Sequence, residues 1–321
     1  MVTYALRRLL GTIPVLLVAS FVMFWLVSDA ADPLAQLRQS CPQCDESAYQ
    51  RLIDLYNLDQ SIPQRYFNWL GNTLTGDFGL STSIQNQPVT DIFWTRAKNT
   101  MIISVPAAII VIVFSAILSI YSALRQYSVG DYAVTGFTYL GLAMPTFFFG
   151  LLLQVFWGVW WQDWTGTKPF WTSGLHDESI GQLISSMTLP IVTLVIISLA
   201  ADTRFGRASM LETRNSDFIR TARAKGVPER TIVFKHLLRA ALIPMVTVWA
   251  ITFGTLLGGT LITETVFSWP GLGRLLITNG IGLLDVNILM AVVLFISVIA
   301  VVFNLLADLL YGWLDPRVRY G

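Results

Sequence analysis

Cys41 and Cys44, spaced C-P-Q-C, and the two histidines, His176 and His236, are the residues of this 321-residue chain whose types could hold a metal or do redox chemistry. Two thiolates are too few for a structural zinc site, which takes four ligands. A thioredoxin-like redox pair needs a βαβ context that the flanking sequence lacks. In an oxidising compartment the remaining reading is a local Cys41–Cys44 disulfide, worth only about 2 kcal/mol over so short a loop. Each histidine stands alone between apolar runs, so neither a metal site nor a His-based triad is expected. H-E-x-x-H, G-x-S-x-G and the phosphate loop G-x-x-x-x-G-K-[ST] are all missing. No catalytic residue is assigned, and ATP hydrolysis by phosphate-loop chemistry would have to come from another chain.

What surrounds these few groups is apolar. Hydrophobic residues make up 54% of the chain and charged residues 13%, about half of the usual quarter. The 21 basic and 20 acidic residues nearly cancel, which offers nucleic acid no field. Charges are absent from long blocks, so the composition is that of a polytopic membrane protein. A span needs roughly 20 apolar helical residues, and six runs qualify: Leu9–Val27, Met101–Ala123, Ala133–Trp161, Ile184–Ala201, Ala240–Thr263 and Val286–Ala307. Inside a bilayer the backbone must bond within the segment, so an all-α fold of six transmembrane helices is expected. The runs are too continuous for a β-barrel. Leu9–Val27, at 19 residues, exceeds the apolar core of a signal peptide and reads as an uncleaved helix. Pro14, Pro106, Pro145, Pro190 and Pro244 lie in or near spans, either tolerated or acting as hinges. Ala133–Trp161 is expected as one long, tilted span.

Lys and Arg set the orientation. One side holds Arg7, Arg8, Arg125, nine basic residues from Arg204 to Arg239, Arg317 and Arg319; the other side holds half as many. Both termini are therefore expected in the cytoplasm. This divides the chain into a first transmembrane helix (1–31), an extracytoplasmic helical loop with Cys41 and Cys44 (32–98), and a five-helix membrane core (99–321) with a cytoplasmic loop at 202–239. In the outer loop, Tyr49, Leu52, Ile53 and Tyr56 share a helix face, and Pro63 opens a second helix with Tyr66, Phe67 and Leu70 on one side. That loop reads either as a cap lying on the bilayer or as a docking surface.

The loop 202–239 carries nine basic and four acidic residues. Ser216 or Asp217 can cap a short helix from Phe218 to Lys225, with Gly226 and Pro228 as its stop. A compact helix on two helical arms results, offering Phe218, Ile219 and Ala222 among cations. It suits either anionic lipid or a groove on a cytoplasmic protein.

Several stretches then fall into a known pattern. Arg220-Thr221-Ala222-Arg223-Ala224-Lys225-Gly226 followed by Leu242-Ile243-Pro244 resembles the cytoplasmic loop of ABC importer permeases, with Arg in place of the usual glutamate. Gly76-Asp77-Phe78-Gly79 with Ser81 resembles the G-D-x-G-x-S stretch of peptide permeases. Glu264-Thr265-Val266-Phe267-Ser268-Trp269-Pro270-Gly271-Leu272-Gly273 resembles their E-x-V-F-x-x-P-G-L-G segment. Arg7-Arg8, Asp308-Leu309-Leu310-Tyr311 and Leu314-Asp315-Pro316-Arg317 fit the two ends. The chain thus resembles, over nearly its whole length, the B-type permease of a dipeptide or oligopeptide ABC importer.

That resemblance implies a type I importer permease fold in the bacterial cytoplasmic membrane. It implies a second homologous permease, two ATPase subunits holding ATP and Mg, and an extracytoplasmic peptide-binding protein that delivers peptide. No cofactor is expected in this chain itself. The short loop helix becomes the coupling element, with Asp217, Phe218, Arg220, Thr221, Ala222, Arg223, Lys225 and Gly226 as its site residues. Glu264, Trp269, Pro270 and Gly271 become an outer loop that meets the binding protein, unless they form an ordinary connector. Asn99, Thr100, Gln154, Thr252 and Asn304 are expected either to line the pathway or to glue helices together. Nickel or another peptide-like solute is the alternative cargo. An ion-coupled secondary transporter is the rival class, but it would be expected to hold mid-membrane ionisable residues. Asp29, Asp202, Glu264 and Asp308 instead fall at the expected span ends.

Overall fold

The computed structural model describes residues 2–30, 34, 43, 45–258 and 260–314; the expected Cys41–Cys44 bridge lies outside them. The described residues are overwhelmingly helical, with one isolated β-bridge between Leu80 and Pro88. Helix α1 is Val2–Ala30, α2 Glu46–Tyr56, α3 Ile62–Leu74 and α4 Val89–Leu124. A bent pair follows, α5 at Val129–Ala143 and α6 at Thr146–Thr165. Helix α7 is Ile180–Arg214 and α8 Asp217–Ala224. Helix α9, Leu238–Gly258, is entered through Glu229–Thr231 and a π-helical stretch at Ile232–Leu237. Last come α10 at Leu261–Val266, α11 at Leu272–Leu275 and α12 at Val286–Leu314. Among the described residues, five helices are long and apolar enough to cross a membrane, or six if the bent pair counts as one span.

Ala133–Trp161 is not one tilted helix. Its two halves meet at 103°. Pro145 lacks an N–H, and its ring pushes the preceding residue out of the helical region; Met144 accordingly sits at φ −86° and ψ 127°. Pro14, Pro106, Pro190 and Pro244 lie inside uninterrupted helices, so one proline of the five breaks its span. The fourth expected span is longer than its apolar run. Helix α7 has 35 residues, about 50 Å at 1.5 Å each. Asp202 therefore lies inside a helix, not at its end.

The chain falls into two compact units. The first comprises Met1–Arg8, Met101–Trp269 and Ile299–Gly321. Its core brings Ile103, Ala107 and Val111 of α4 against Leu194, Val195 and Leu199 of α7, Leu256 of α9 and Trp269. Small and hydroxylated residues let these helices approach, as membrane helix packing requires. A Cβ on Gly206 would collide with Ser119 and Met245, and one on Gly254 would lie 2.6 Å from the Phe303 side chain. Ser104 donates to the Leu256 carbonyl at 3.0 Å, and Ser119 to the Thr203 carbonyl at 3.1 Å.

The second unit comprises Leu9–Thr100 and Pro270–Val298. Here α3 lays Tyr66 and Trp69 on α1. The Tyr66 hydroxyl shares a 2.8 Å hydrogen bond with Ser20 and donates to the Leu17 carbonyl at 3.2 Å. The Phe24 ring lies 5.6 Å from Tyr66 and 6.0 Å from Trp69. The expected face of Tyr66, Phe67 and Leu70 is thus rotated. Tyr66 and Trp69, three apart, are buried, while Phe67 points away and is exposed. Neighbouring residues on a helix diverge by about 100°, so Phe67 cannot share Tyr66's side.

Candidate functional site

The loop 202–239 folds into a knuckle on two stiff arms. Helix α7 runs unbroken to Arg214, the chain turns at Asn215-Ser216, and α8 occupies Asp217–Ala224. Ser216 stands at the N-cap position but makes no cap; its hydroxyl donates back to the Thr213 carbonyl at 2.6 Å. Closure at the other end is complete. Gly226 takes φ +75°, its N–H donates to the Arg223 carbonyl, and the Val227 N–H donates to the Ala222 carbonyl. This is a Schellman closure, with Gly226 supplying the left-handed residue that such a turn demands. Arg223 then grips Glu229 on the return arm through two bonds, at 3.1 and 2.7 Å. That grip raises the affinity of the Arg223 guanidinium for its proton above the ordinary arginine value.

One side of α8 is committed to the protein itself. Ile219 is fully buried with Met210, Ile232, Val233, Leu237 and Ala241, and Ala222 and Val227 pack against that cluster. The expected docking face of Phe218, Ile219 and Ala222 therefore loses Ile219 to the interior and most of Ala222. Ile219, between Phe218 and Arg220, is the anchor that holds this short helix, worth about 1.5–3 kcal/mol of burial. Asp217, Phe218, Arg220, Thr221, Arg223 and Lys225 face outward. Phe218 is 48% exposed, an aromatic ring in a ring of charge. The Arg220–Asp217 pair spans 3.7 Å in full solvent and contributes little.

Behind the knuckle lies a clamp that the sequence alone did not reveal. Arg207 of α7 binds Asp131 of α5 through its Nε and Nη2, each at 2.9 Å. The same carboxylate accepts from the Ser122 hydroxyl of α4 and, at 2.9 Å, from the Tyr127 N–H. Arg214 donates to the Ala123 carbonyl at 3.1 Å, and Ser209 to the Ala241 carbonyl at 3.0 Å. Four helices are thereby tied at the level where α7 leaves the apolar region. The available signal was a lone acid, Asp131, in a short basic loop, capped by Ser128.

Most of the other expected site residues make internal contacts. In the first unit, Glu264 and Trp269 are fully buried, so neither presents its side chain at an outer surface. Trp269 fills the core around Ile103, adding the large apolar area of its indole. Gln154 donates to the Thr172 and Val266 carbonyls at 2.7 and 3.0 Å, and Thr252 donates to Asp202 at 3.1 Å. In the second unit, Asn99 donates to the Pro270 carbonyl at 2.9 Å, and Thr100 accepts from the Leu272 N–H at 2.9 Å. Gly271 is buried and Pro270 half-buried. Four of the five residues offered as pathway lining thus hold backbone or side chains together. Asn304 is exposed on α12.

Residues 115–320 match the family model described as binding-protein-dependent transport system inner membrane component. Residues 1–106 match the one described as the N-terminal part of such membrane components. Oligopeptide transport system permease protein AppB of Bacillus subtilis is 35% identical, with 100% of both chains covered. Oligopeptide transport system permease protein OppB of Mycobacterium tuberculosis is 36% identical over 99% of each. Glutathione transport system permease protein GsiC of Escherichia coli is 33% identical over 100% of each. Among solved structures, the MetNI methionine ABC transporter aligns at a TM-score of 0.54 and 18% identity, covering 70% of this chain and 96% of that one. That likeness speaks for the fold.

Proposed function

Since this chain belongs to the binding-protein-dependent transport system inner membrane component family, and so is a multi-pass protein of the cytoplasmic membrane, we propose that it carries short peptides inward by alternating access, driven by ATP hydrolysed on two separate ATPase subunits. A second permease completes the pathway, and an extracytoplasmic binding protein delivers the peptide. The class of cargo is supported by full-length relatives named for oligopeptide and glutathione transport. Both termini lie in the cytoplasm by the Lys and Arg distribution.

One observation carries the mechanism: α8 is rigidly closed onto α7, and α7 is a single helix from Arg214 back to Ile180. An ATPase groove that takes up Phe218 and Arg220 moves α8. The Ile219 cluster, the Schellman closure and the Arg223–Glu229 pair oblige both arms to follow. The Asp131–Arg207–Ser122 clamp spreads the displacement to α4 and α5. ATP shifts the permease only as far as its two states differ in affinity for the closed motors. No reacting group is asked of this chain.

Uptake of labelled trialanine into proteoliposomes holding the whole assembly tests the reading. Uptake should require ATP and should fall with Phe218→Asp or Arg220→Glu, which should also release the ATPases during purification. Accumulation by the purified chain alone under a proton or sodium potential would overturn it, and Asp202 and Glu264, buried acids of α7 and α10 outside the clamp, would then be the groups to examine.

A further inference from the structure

In the first unit a cavity of about 400 Å³ opens where α4 ends and the return arm of the knuckle runs towards α9. Its charged lining is Arg214, Arg223, Arg230 and Glu229. Arg223 and Glu229 neutralise each other across 2.7 Å. Arg214 and Arg230 pair with no acid among the described residues, so the cavity keeps a surplus of positive charge. Arg214 is held in place beforehand, because its Nη1 donates to the Ala123 carbonyl at 3.1 Å. Arg230 is exposed.

The rest of the lining is apolar. Leu124 and Phe234 both face the cavity, and Phe234 is 65% exposed. Leu124 is the last residue of α4, one position past the apolar run Met101–Ala123. The cavity therefore stands at the level where a span leaves hydrocarbon and meets headgroups. At that depth an exposed leucine and phenylalanine can cover acyl carbon, and a guanidinium fork matches the oxygens of a phosphate. Basic pockets between membrane helices at this level suit anionic headgroups. The surplus charge disfavours a zwitterionic lipid, whose cation finds Glu229 already taken by Arg223. A free anion would leave the apolar half of the lining unused. A protein groove that grips Phe218 and Arg220 would have to sink to the level of Leu124 to reach it.

We propose that this cavity binds the phosphate of an anionic phospholipid between Arg214 and Arg230, with the first acyl carbons on Leu124 and Phe234. A lipid there ties the return arm to the membrane surface. Binding needs neither ATPase nor peptide, and so does not rest on the transport reading.

The test is lipid retention by the purified full chain in detergent, counted by native mass spectrometry during titration with phosphatidylglycerol or phosphatidylcholine of equal chain length. Phosphatidylglycerol should bind saturably and in preference. Arg230→Gln should weaken it about fivefold, the worth of one cation at a membrane surface. Arg214→Lys, which keeps the charge and loses the fork, should weaken it by a smaller factor, as should Phe234→Ser. Lys235→Gln removes an exposed cation of the same arm that does not line the cavity, and should change little. Equal loss in Lys235→Gln and Arg230→Gln would mean a diffuse basic surface and overturn the cavity. Equal retention of the two lipids, or indifference to Arg230→Gln in a variant that melts normally, would also overturn it. Displacement by inorganic phosphate at the lipid's concentration would make the ligand a free anion. Loss of the ATPases from Arg230→Gln with lipid preference intact would make the cavity a protein contact, and either result refutes the proposal. Lipid preference without ATP-driven uptake keeps this site and sinks the transport reading; uptake without preference does the reverse.

Discussion

Helices α8 and α3 are both short and amphipathic, but they are held in opposite ways. Helix α8 buries a single aliphatic side chain, Ile219, and closes its C-terminal end through Gly226 and the Arg223–Glu229 pair. Helix α3 is fastened by aromatics, Tyr66 and Trp69 against Phe24, and starts from a capping box between Ser61 and Gln64. Fixed at its end and its one anchor, α8 can pass on a push, since no slack lies between its backbone and its arms. One helix is fixed at its closed end and a single anchor, the other along an aromatic face.

The contrast breaks most completely at Ile219. Ile219→Asp places a charge in the Met210–Ile232–Leu237 cluster and should cost more than about 4 kcal/mol locally. ATPase association and peptide uptake should both be lost, while Trp69→Phe leaves association intact; copurification with Ile219→Asp would refute the anchor.

The clamp ranks next. Asp131→Asn leaves Arg207 half-answered. The loss should fall below the roughly 3–5 kcal/mol of a fully buried broken pair, because Arg207 is 28% exposed. The melting temperature in detergent measures it, and the double variant Asp131→Asn/Arg207→Gln should lose less than the sum of the singles.

Two glycines sharpen the comparison directly. Gly226 has φ +75° and nothing within 4 Å of an added Cβ, whereas Gly79 has φ +83° and the Asn287 amide in the way. Gly226→Ala should cost only the left-handed penalty of about 1–2 kcal/mol, and Gly79→Ala more. Gly226→Val should in addition uncouple ATP hydrolysis from uptake in the assembled transporter; equal melting of the two alanine variants would contradict the crowding at Gly79.

The smallest effect is a pH dependence. Burial and then the Asp285 charge push the Tyr56 phenol from 10.0 up to about 12. A raised value favours the protonated, folded form, so this contribution is whole below pH 10 and fades as pH rises towards 12. Tyr56→Phe should flatten that alkaline slope in chemical denaturation, and an unchanged slope would remove Tyr56 as its source.

The helical class, the apolar runs and the knuckle were legible because each is a local pattern. Twenty apolar residues can do little but form a span, and the sequence from Asp217 to Pro228 carries its own start, anchor and stop. The Asp131–Arg207 clamp was not legible, since its partners are separated by 76 positions and either residue alone looks like a solvated charge. The burial of Trp269 and the bond from Asn99 to the Pro270 carbonyl were not legible for a related reason: a turn sequence announces a loop, but not whether that loop is buried.

The sequence by itself determined the membrane environment, the family resemblance and the position of the exposed loop helix, because periodicity, charge placement and turn residues act between near neighbours. Only the tertiary structure decided that Pro145 alone breaks its span, that Ile219 faces inward, and that Leu124, Arg214 and Arg230 surround one cavity. Those outcomes depend on which surfaces meet after the chain has folded, and a side chain's partners across distant helices leave no mark on its neighbours in sequence.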